Sequence, residues 1–188
     1  MKKEVTFADY ENIPFAYRGD SDMMSKQVPH RLRVTQRFIG KDIAGLKTLD
    51  IGASNMFGRL LGLKDNTGMV DLNHDFSAPS KNYDLVGCFE IIEHVMNPLN
   101  LLLNIHKVLK HEGYCYLSTP RPFFGFLQGR QHFTEYKPDR MERMMVFAGF
   151  KVIRRKKFCI WDWDFFFYGF RPAFRVLFHR NYIWELRK

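Results

Sequence analysis

The sequence predicts an α/β protein built on an open, largely parallel β-sheet with helices on both faces. Three observations support this fold class. Strand and helix signals alternate along the chain without an internal repeat or a low-complexity linker. A continuous apolar run at 83–89 has the composition of a strand buried on both faces. The chain has 188 residues, of which 46% are hydrophobic, which is enough for one domain with a substantial core.

The first half of the chain contains one long helix, one short helix and three strands. A helix is predicted over 29–39, because proline suits the first turn of a helix and a glycine follows its end. Residues 46–52 are the first predicted strand, and a glycine-containing turn leads from it to a short helix over 60–63. The other two strands are predicted over 68–72 and 83–89.

The second half begins with the clearest helix signal in the chain. Asn97 is a good N-cap, a proline follows it, and apolar residues recur at helical spacing until Gly113. A strand follows over 114–120, and a helix over 138–148 has its methionines on one stripe. The two final strands are predicted over 150–160 and 181–188.

Composition excludes some classes of protein and leaves others open. The 29 lysines and arginines exceed the 20 acidic residues, giving a net charge of +9. That charge suits nucleic acid, anionic lipid or an anionic small substrate, and it does not choose among them. No stretch is long and uncharged enough for a transmembrane helix, and no signal peptide is expected. Three widely separated cysteines predict reduced thiols in a cytoplasmic protein.

Two features near the first two strands suggest a nucleoside pocket. Gly52 follows the first strand, where backbone N–H groups and the positive end of a helix face a ligand. Nineteen residues later, Asp71 ends the second predicted strand, where a carboxylate can bind two ribose hydroxyls. The G-x-G-x-x-G fingerprint of nicotinamide cofactors fails, because Ser54 and Phe57 stand at its later glycine positions. A tight turn that binds nothing is the alternative interpretation.

A more specific signal is the run YDLVGCFEIIEHVMNPLNLLLNIHKVLKHEGYCYLSTP, residues 83–120. It resembles the class I S-adenosylmethionine-dependent methyltransferases, and its E-x-x-E-H-V element is similar to that of the Coq/Ubi-type enzymes of the ubiquinone pathway. The resemblance covers about residues 45–160. It implies a class I methyltransferase (Rossmann-like) fold: an open, mostly parallel sheet with an antiparallel last strand and helices on both faces. It also implies methyl transfer from S-adenosylmethionine.

The resemblance assigns ten residues to the cofactor. They are Asp50, Gly52, Ala53, Ser54, Asp71, Leu72, Asp75, Phe76, Phe89 and Glu90. The chain departs from the family in two ways. Ser54 and Met56 replace the second and third glycines of the first turn, and only eleven residues separate Asp71 from Tyr83, where the family usually has a helix and a further strand. Asp75 and Phe76 are assigned to the shortened adenine side for this reason.

A second set of residues, Glu90, Glu93, His94 and His132, has two interpretations. Related ubiquinone-pathway and small-RNA methyltransferases use an E-x-x-E-H site for a divalent metal, which implies Mg²⁺ or a softer metal bound by these four residues. Alternatively, Glu93 and His94 organise the loop without metal. In both interpretations the predicted catalytic residues are His132, as general base or acceptor contact, with Glu93 and His94.

The predicted organisation is an N-terminal cap or lid, 1–40, and a methyltransferase domain, 41–188, with an aromatic and basic insertion at about 161–180. The insertion has three interpretations: contact with an anionic membrane at its inner face, a stacking platform for RNA, or a hairpin that covers a sheet edge or forms a homodimer contact. The predicted reaction is methylation of an oxygen on a small-molecule, lipid or sugar acceptor. Metal-assisted RNA 2′-O-methylation and a non-catalytic binding role are the alternatives.

Overall fold

A single six-stranded sheet forms the centre of the computed structural model, which describes residues 21–52, 56–68, 70–122 and 132–188. The strands are β1 (Thr48–Asp50), β2 (Asp65–Asn66), β3 (Tyr83–Phe89), β4 (Leu109–Pro120), β5 (Lys151–Phe158) and β6 (Asn181–Arg187). The helices are α1 (Ser21–Ile39), α2 (Met56–Leu61), α3 (Pro98–Val108), α4 (Pro138–Phe147) and α5 (Phe170–Phe178), with 3₁₀ helices at Ile92–His94 and Trp163–Tyr168.

The sheet has the order β2-β1-β3-β4-β6-β5. Strands β2, β1, β3 and β4 pair in parallel, and β6 pairs antiparallel with both β4 and β5. The predicted α/β class, with its mostly parallel sheet and antiparallel last strand, is therefore confirmed. The carboxyl ends of β1, β3 and β4 meet at one edge, where open α/β sheets bind their ligands, and β6 begins at the same edge.

Helices cover both faces of this sheet. Along β4, Cys115 and Leu117 pack into a core cluster with α3 and α4, while Tyr116 between them packs into a second cluster with α1 and α2. The same alternation holds in β6, where Ile183 and Trp184 are both fully buried in different clusters. Burial on two faces explains why consecutive residues in the middle of these strands, 115–117 and 183–184, are all apolar.

The helix signals after Asn97 and Lys137 are confirmed. The Asn97 side chain accepts the N–H of Asn100, and α4 spans ten of the eleven predicted residues. The predicted end of the first of these helices at Gly113 is wrong, because β4 already begins at Leu109. Gly113 is instead a point of close strand approach: a Cβ there would lie 3.0 Å from the carbonyl oxygen of Tyr83.

The prediction of a second strand over 68–72 is wrong. Strand β2 consists of Asp65 and Asn66, which pair with Leu49 and Asp50, and the described residues of 68–72 lie outside the sheet. Val70 is exposed, so its apolar side chain indicates no buried strand. The chain then reaches β3 through an irregular connection over 70–82 that contains neither helix nor strand among its described residues.

Two helix boundaries also differ from the prediction. Helix α1 begins at Ser21, eight residues before its predicted start at Pro29, and α2 covers Met56–Leu61 rather than 60–63. The end of α1 at Ile39 is confirmed, and Phe38 and Ile39 pack into the core. Residues 1–20 of the predicted cap lie outside the described residues.

The aromatic insertion is helical. Residues 161–180 contain the second 3₁₀ helix and α5, so the hairpin interpretation of this segment is wrong. Phe165 and Val176 point inward and are buried, which holds both helices against the sheet. None of the helices in the described ranges combines the length and apolarity needed to cross a membrane.

Candidate functional site

The carboxyl end of β1 holds a buried carboxylate. Asp50 is 4% exposed and lies under α2, where a side chain at Gly58 would overlap its carboxyl group. Burial raises the pKa of Asp50 to about 7, and the positive charge of Arg31 opposes this shift. A cation that binds beside such a carboxyl group lowers its pKa and favours the carboxylate form. This arrangement suits a ligand that carries a positive charge.

The turn after β1 is tied to the end of β2. The Thr67 hydroxyl accepts the N–H of Gly52 at 2.8 Å and donates to its carbonyl oxygen at 3.3 Å. Thr67 is not among the predicted site residues, because it follows β2, a strand of two polar residues without a local sequence signal. The predicted cofactor residues Ala53 and Ser54 lie outside the described residues.

Asp71 and Leu72 lie on the rim of this edge. The Asp71 carboxylate accepts both the backbone and the side-chain N–H of Asn73 at 2.9 Å, and Leu72 packs against the core. Asn73 in turn accepts the N–H groups of Met96 and Asn97 at 2.6 and 3.0 Å. This residue, which sequence analysis missed, fastens the irregular connection to the start of α3.

Asp75 and Phe76 are separated from the other predicted cofactor residues. The Asp75 carboxylate lies 3.3 Å from the Nζ of Lys107, in the last turn of α3, and this hydrogen bond lowers the pKa of Asp75. Both residues line a groove of about 460 Å³ between α3 and the connection. Since α3 runs back from the carboxyl edge, the groove lies towards the opposite edge of the sheet.

Phe89 and Glu90 end β3 next to Asp50. The buried Phe89 ring packs edge-to-face on Phe57, with ring centres 5.5 Å apart. Glu90 has a φ of 57°, a conformation that is uncommon for a residue with a side chain and clusters at functional sites. Its carboxylate accepts the Ser118 hydroxyl at 2.7 Å and the side-chain amide of Asn181. Hydrogen bonds from β4 and from the start of β6 therefore fix the Glu90 side chain.

Three of the four predicted metal-ligating residues converge. One donor atom each from Glu93, His94 and His132 lies within 4.8 Å of the others, and the two imidazole rings pack edge-to-face at 4.9 Å. The Glu93 backbone carbonyl accepts the N–H of Phe133 at 2.8 Å, which holds the chain next to His132 against the 3₁₀ helix Ile92–His94. Glu90 is not part of the converging group.

The environment of this cluster defines its chemistry. Glu93 is 1% exposed and accepts the Thr119 hydroxyl at 2.9 Å; burial, with the charge of Glu90, raises the pKa of Glu93 well above its usual range. The Nδ1 of His132 lies 2.8 Å from the Glu135 carboxylate. A carboxylate on Nδ1 favours the tautomer with its lone pair on Nε2, the form that acts as a base or a metal ligand.

The donor set differs from the predicted Mg²⁺ site. One carboxylate and two imidazoles suit Mn²⁺, Fe²⁺ or Zn²⁺ better than Mg²⁺, which prefers oxygen ligands and water. The predicted set of four had a second carboxylate in Glu90. Hydrogen bonds with Ser118 and Asn181 hold this carboxylate outside the group formed by the other three residues. The residues therefore fit a divalent transition metal, held by Glu93, His94 and His132.

The insertion also reaches this edge. The Trp161 indole donates to Nδ1 of His179 at 3.0 Å, and burial lowers the pKa of His179. Asn181, two residues later, donates to Glu90 and keeps its own side-chain oxygen buried without a hydrogen-bond partner in the described structure. Asn181 and His179 are not among the predicted residues, because they lie far along the chain from the E-x-x-E-H motif. Glu135 is close in sequence to the predicted His132, but only the fold shows that its carboxylate contacts that imidazole.

Comparisons with known proteins agree with this architecture. The sequence matches a family model described as a methyltransferase domain over residues 24–155. A comparison with curated proteins gave no significant match.

Three solved structures illustrate the likeness. An S-adenosylmethionine-dependent methyltransferase from Mesorhizobium loti is 14% identical, covers 84% of this chain and 98% of its own, and gives a TM-score of 0.63. A Haloferax volcanii methyltransferase, in complex with the Trm112 methyltransferase activator, is 13% identical with coverages of 90% and 92% and a TM-score of 0.63. Phosphoethanolamine N-methyltransferase 2 of Haemonchus contortus, in complex with S-adenosyl-L-methionine, is 16% identical with coverages of 85% and 52% and a TM-score of 0.57. At these identities the similarity shows a shared fold.

Proposed function

The chain belongs to the methyltransferase domain family and is an S-adenosylmethionine-dependent enzyme, and we propose that it methylates a hydroxyl oxygen of a small-molecule, lipid or sugar acceptor. The observation that supports an oxygen acceptor is the cluster of Glu93, His94 and His132 beside Glu90. A hydroxyl must lose its proton to attack a methyl group, so an oxygen acceptor needs a base or a metal at this position.

The methyl donor needs little activation by the protein. A sulfonium methyl group is already a strong electrophile, so the enzyme has mainly to align donor and acceptor. We assign the cationic amino group of the donor to Asp50, whose buried carboxyl group supports a positively charged neighbour. Gly52, Phe89 and Glu90 are assigned to the rest of the donor along the same edge, and Asp71 and Leu72 to its rim.

His132 is the proposed base. Its Nδ1 is held by the Glu135 carboxylate, which leaves the Nε2 lone pair to take the acceptor proton and stabilises the imidazolium that forms. Glu135 is 5% exposed in its side chain, so this hydrogen bond is shielded from water. The neighbouring His94 ring, packed against His132, limits the orientations that the base can adopt.

A metal-assisted reaction, including RNA 2′-O-methylation, is the second candidate, and the convergence of three ligand-type side chains favours it specifically. When bound there, a divalent metal would lower the pKa of a coordinated hydroxyl. Glu93 would then act as an anionic ligand together with the two imidazoles, and Glu135 would orient His132.

Methyl transfer from labelled S-adenosylmethionine into separated pools of polar metabolites, lipids and small RNA tests the proposal. We expect labelled methyl ethers, about 100-fold slower transfer by His132→Ala, and an unchanged KM for the donor. His111→Ala is the matched control, because that imidazole is 89% exposed on another part of the chain. Labelled methylamines, or full activity of His132→Ala, would contradict an oxygen acceptor with this base.

A chelator separates the two candidates. Loss of activity after chelation, with recovery on adding Mn²⁺, supports the metal-assisted reaction. Activity that is indifferent to the chelator supports His132 acting alone. Label confined to small RNA would identify RNA as the acceptor in place of the proposed small molecule, lipid or sugar.

A further inference from the structure

One surface of the protein exposes an unusual number of large aromatic side chains. Six of the eight exposed aromatic side chains in the described part of the chain lie between residues 163 and 178. We call these six the aromatic face: Trp163, Phe166, Phe167, Tyr168, Phe170 and Phe178. Phe167 and Phe170 are 85% and 86% exposed. Contiguous exposed apolar surface of this kind marks an interaction site.

The rings of the aromatic face are ordered by two short helices. In the 3₁₀ helix, Trp163 contacts Phe166, which contacts Phe167, with ring centres 6.3 and 5.7 Å apart. In α5, Phe170, Phe174 and Phe178 follow one another at a spacing of four residues and form a stripe along the helix. Phe165 and Val176 on the inner side are buried in the second core cluster and hold the segment against the sheet.

The surroundings of the aromatic face are strongly basic. Residues 151–180 contain eight lysines and arginines and two aspartates, a net charge of +6, from which the ion pairs of Arg154 with Glu185 and of Arg155 with Glu142 subtract. Because β5 runs parallel to β4, its last residues reach the carboxyl edge where the insertion begins. The exposed Lys156 and Lys157 therefore lie next to the aromatic segment.

We propose that the aromatic face docks on the surface of an anionic lipid bilayer, with its rings at headgroup depth and the exposed Lys156 and Lys157 of β5 against the lipid phosphates. Exposed tryptophan, tyrosine and phenylalanine in short helices, together with lysine and arginine, are the composition of an interfacial element. Each basic residue near an anionic surface adds to the attraction.

Charge and ring geometry favour a bilayer over two other occupants. A second copy of the chain would bring its own Lys156 and Lys157 towards the same exposed lysines of the first, which opposes self-association. Single-stranded RNA binds on rings that stand apart so that bases can stack between them, whereas Phe170, Phe174 and Phe178 pack side by side with ring centres 6.2 and 4.5 Å apart. A bilayer accepts such a packed apolar stripe as it stands.

Docking would also orient the enzyme. The insertion leads directly into Asn181, whose side chain binds Glu90, and Trp161 at its start binds His179. The carboxyl edge of the sheet therefore faces the same side as the aromatic face, and a docked protein would present its candidate site towards the bilayer.

Flotation of the full chain with lipid vesicles tests the docking. We expect the protein to float with vesicles of phosphatidylcholine and phosphatidylglycerol, and binding to weaken between about 50 mM and about 300 mM salt. Phe167→Glu with Phe170→Glu should weaken binding by roughly tenfold or more, since both apolar contacts are replaced by like-charged ones. Phe147→Glu is the matched control, because this phenylalanine is 77% exposed at the end of α4 and should bind as the wild type does.

Several outcomes would overturn the docking. One is that the wild type and the double variant float with vesicles equally well. Another is that the wild type forms a concentration-dependent dimer that the double variant abolishes. Retention of RNA that the double variant abolishes, without flotation, would have the same effect. Unfolding curves of each variant show whether loss of binding reflects loss of fold. Neither phenylalanine belongs to the candidate site, so methyl transfer to a water-soluble acceptor should be unchanged, and failure of docking leaves the proposed reaction standing.

Discussion

Asp50 is the residue whose ionisation bears most directly on donor binding. Its pKa of about 7 arises from burial, with Arg31 on α1 as the opposing charge. Below that pH the folded protein holds Asp50 neutral, and a neutral acid attracts an ammonium group weakly. We therefore expect the affinity for S-adenosylhomocysteine to fall by about tenfold per pH unit below pH 7 and to level off above it, measured calorimetrically.

Two variants sharpen this test. Asp50→Asn should bind S-adenosylhomocysteine weakly and without this pH dependence, because its side chain cannot ionise. Asp71→Asn should weaken binding by a similar factor at every pH and keep the pH dependence, since Asp71 is exposed and bonded only within its own turn in the described structure. A wild-type affinity that does not change between about pH 5.5 and about pH 8 would mean that the amino group does not lie against Asp50.

The packing of α2 on β1 depends on the absence of a Cβ atom at Gly58. A Cβ at this position would overlap the Asp50 carboxyl group. Although alanine favours a helix by about 1 kcal/mol over glycine, overpacking typically costs about 1–3 kcal/mol. We expect Gly58→Ala to displace the carboxyl group and to weaken S-adenosylhomocysteine binding at least as much as Asp50→Asn does.

Gly45→Ala is the matched control for this substitution, because a Cβ at Gly45 meets no atom within 4 Å. It should leave both the free energy of unfolding and the affinity close to those of the wild type. Wild-type binding by Gly58→Ala would show that helix α2 can move aside and that Asp50 is not held at one position.

The irregular connection before β3 depends on Asn73. One side-chain oxygen satisfies the backbone N–H groups of Met96 and Asn97 at the start of α3. Asn73→Ala removes this cap, and we expect it to lower the free energy of unfolding by about 1–2 kcal/mol, measured by chemical denaturation. His74→Ala, whose side chain is 81% exposed, should cost much less. Equal stabilities of the two variants would mean that water replaces the cap without loss.

Elements with a strong local signal were predictable from the sequence, and elements defined only by their partners were not. Strand β3 is a short apolar run, α3 has the Asn97 cap, and both α3 and α4 begin at a proline and repeat apolar residues at helical spacing. Strand β2 contains only Asp65 and Asn66, which are polar and join the sheet through pairing with β1 alone. The apolar run that follows, over 68–72, resembles a strand more closely, although its described residues lie outside the sheet.

Across the whole molecule, the candidate site combines one sequence motif with contributions from distant strands. The E-x-x-E-H motif predicted Glu93 and His94, and its partner His132 converges with them. The motif could not show that Glu90 is bound by Ser118 and Asn181, because that depends on the antiparallel insertion of β6 beside β4. Sequence order hides such contacts, since 91 residues separate Glu90 from Asn181.

A site assembled in this way from β1, β3, β4 and β6 should couple ligand binding to the stability of the entire fold. A ligand at 100 times its Kd stabilises the folded state by about 2.7 kcal/mol, which raises the Tm of a domain of this size by about 5–10 °C. We expect S-adenosylhomocysteine to produce such a shift in differential scanning fluorimetry, and Asp50→Asn to reduce it at the same concentration. Adenosine alone should give a smaller shift, because it lacks the amino group assigned to Asp50. A Tm that stays constant up to millimolar S-adenosylhomocysteine would show that the protein does not bind the donor. The short connection between Asp71 and Tyr83, which forms the adenine side of the predicted pocket, would then be the first cause to examine.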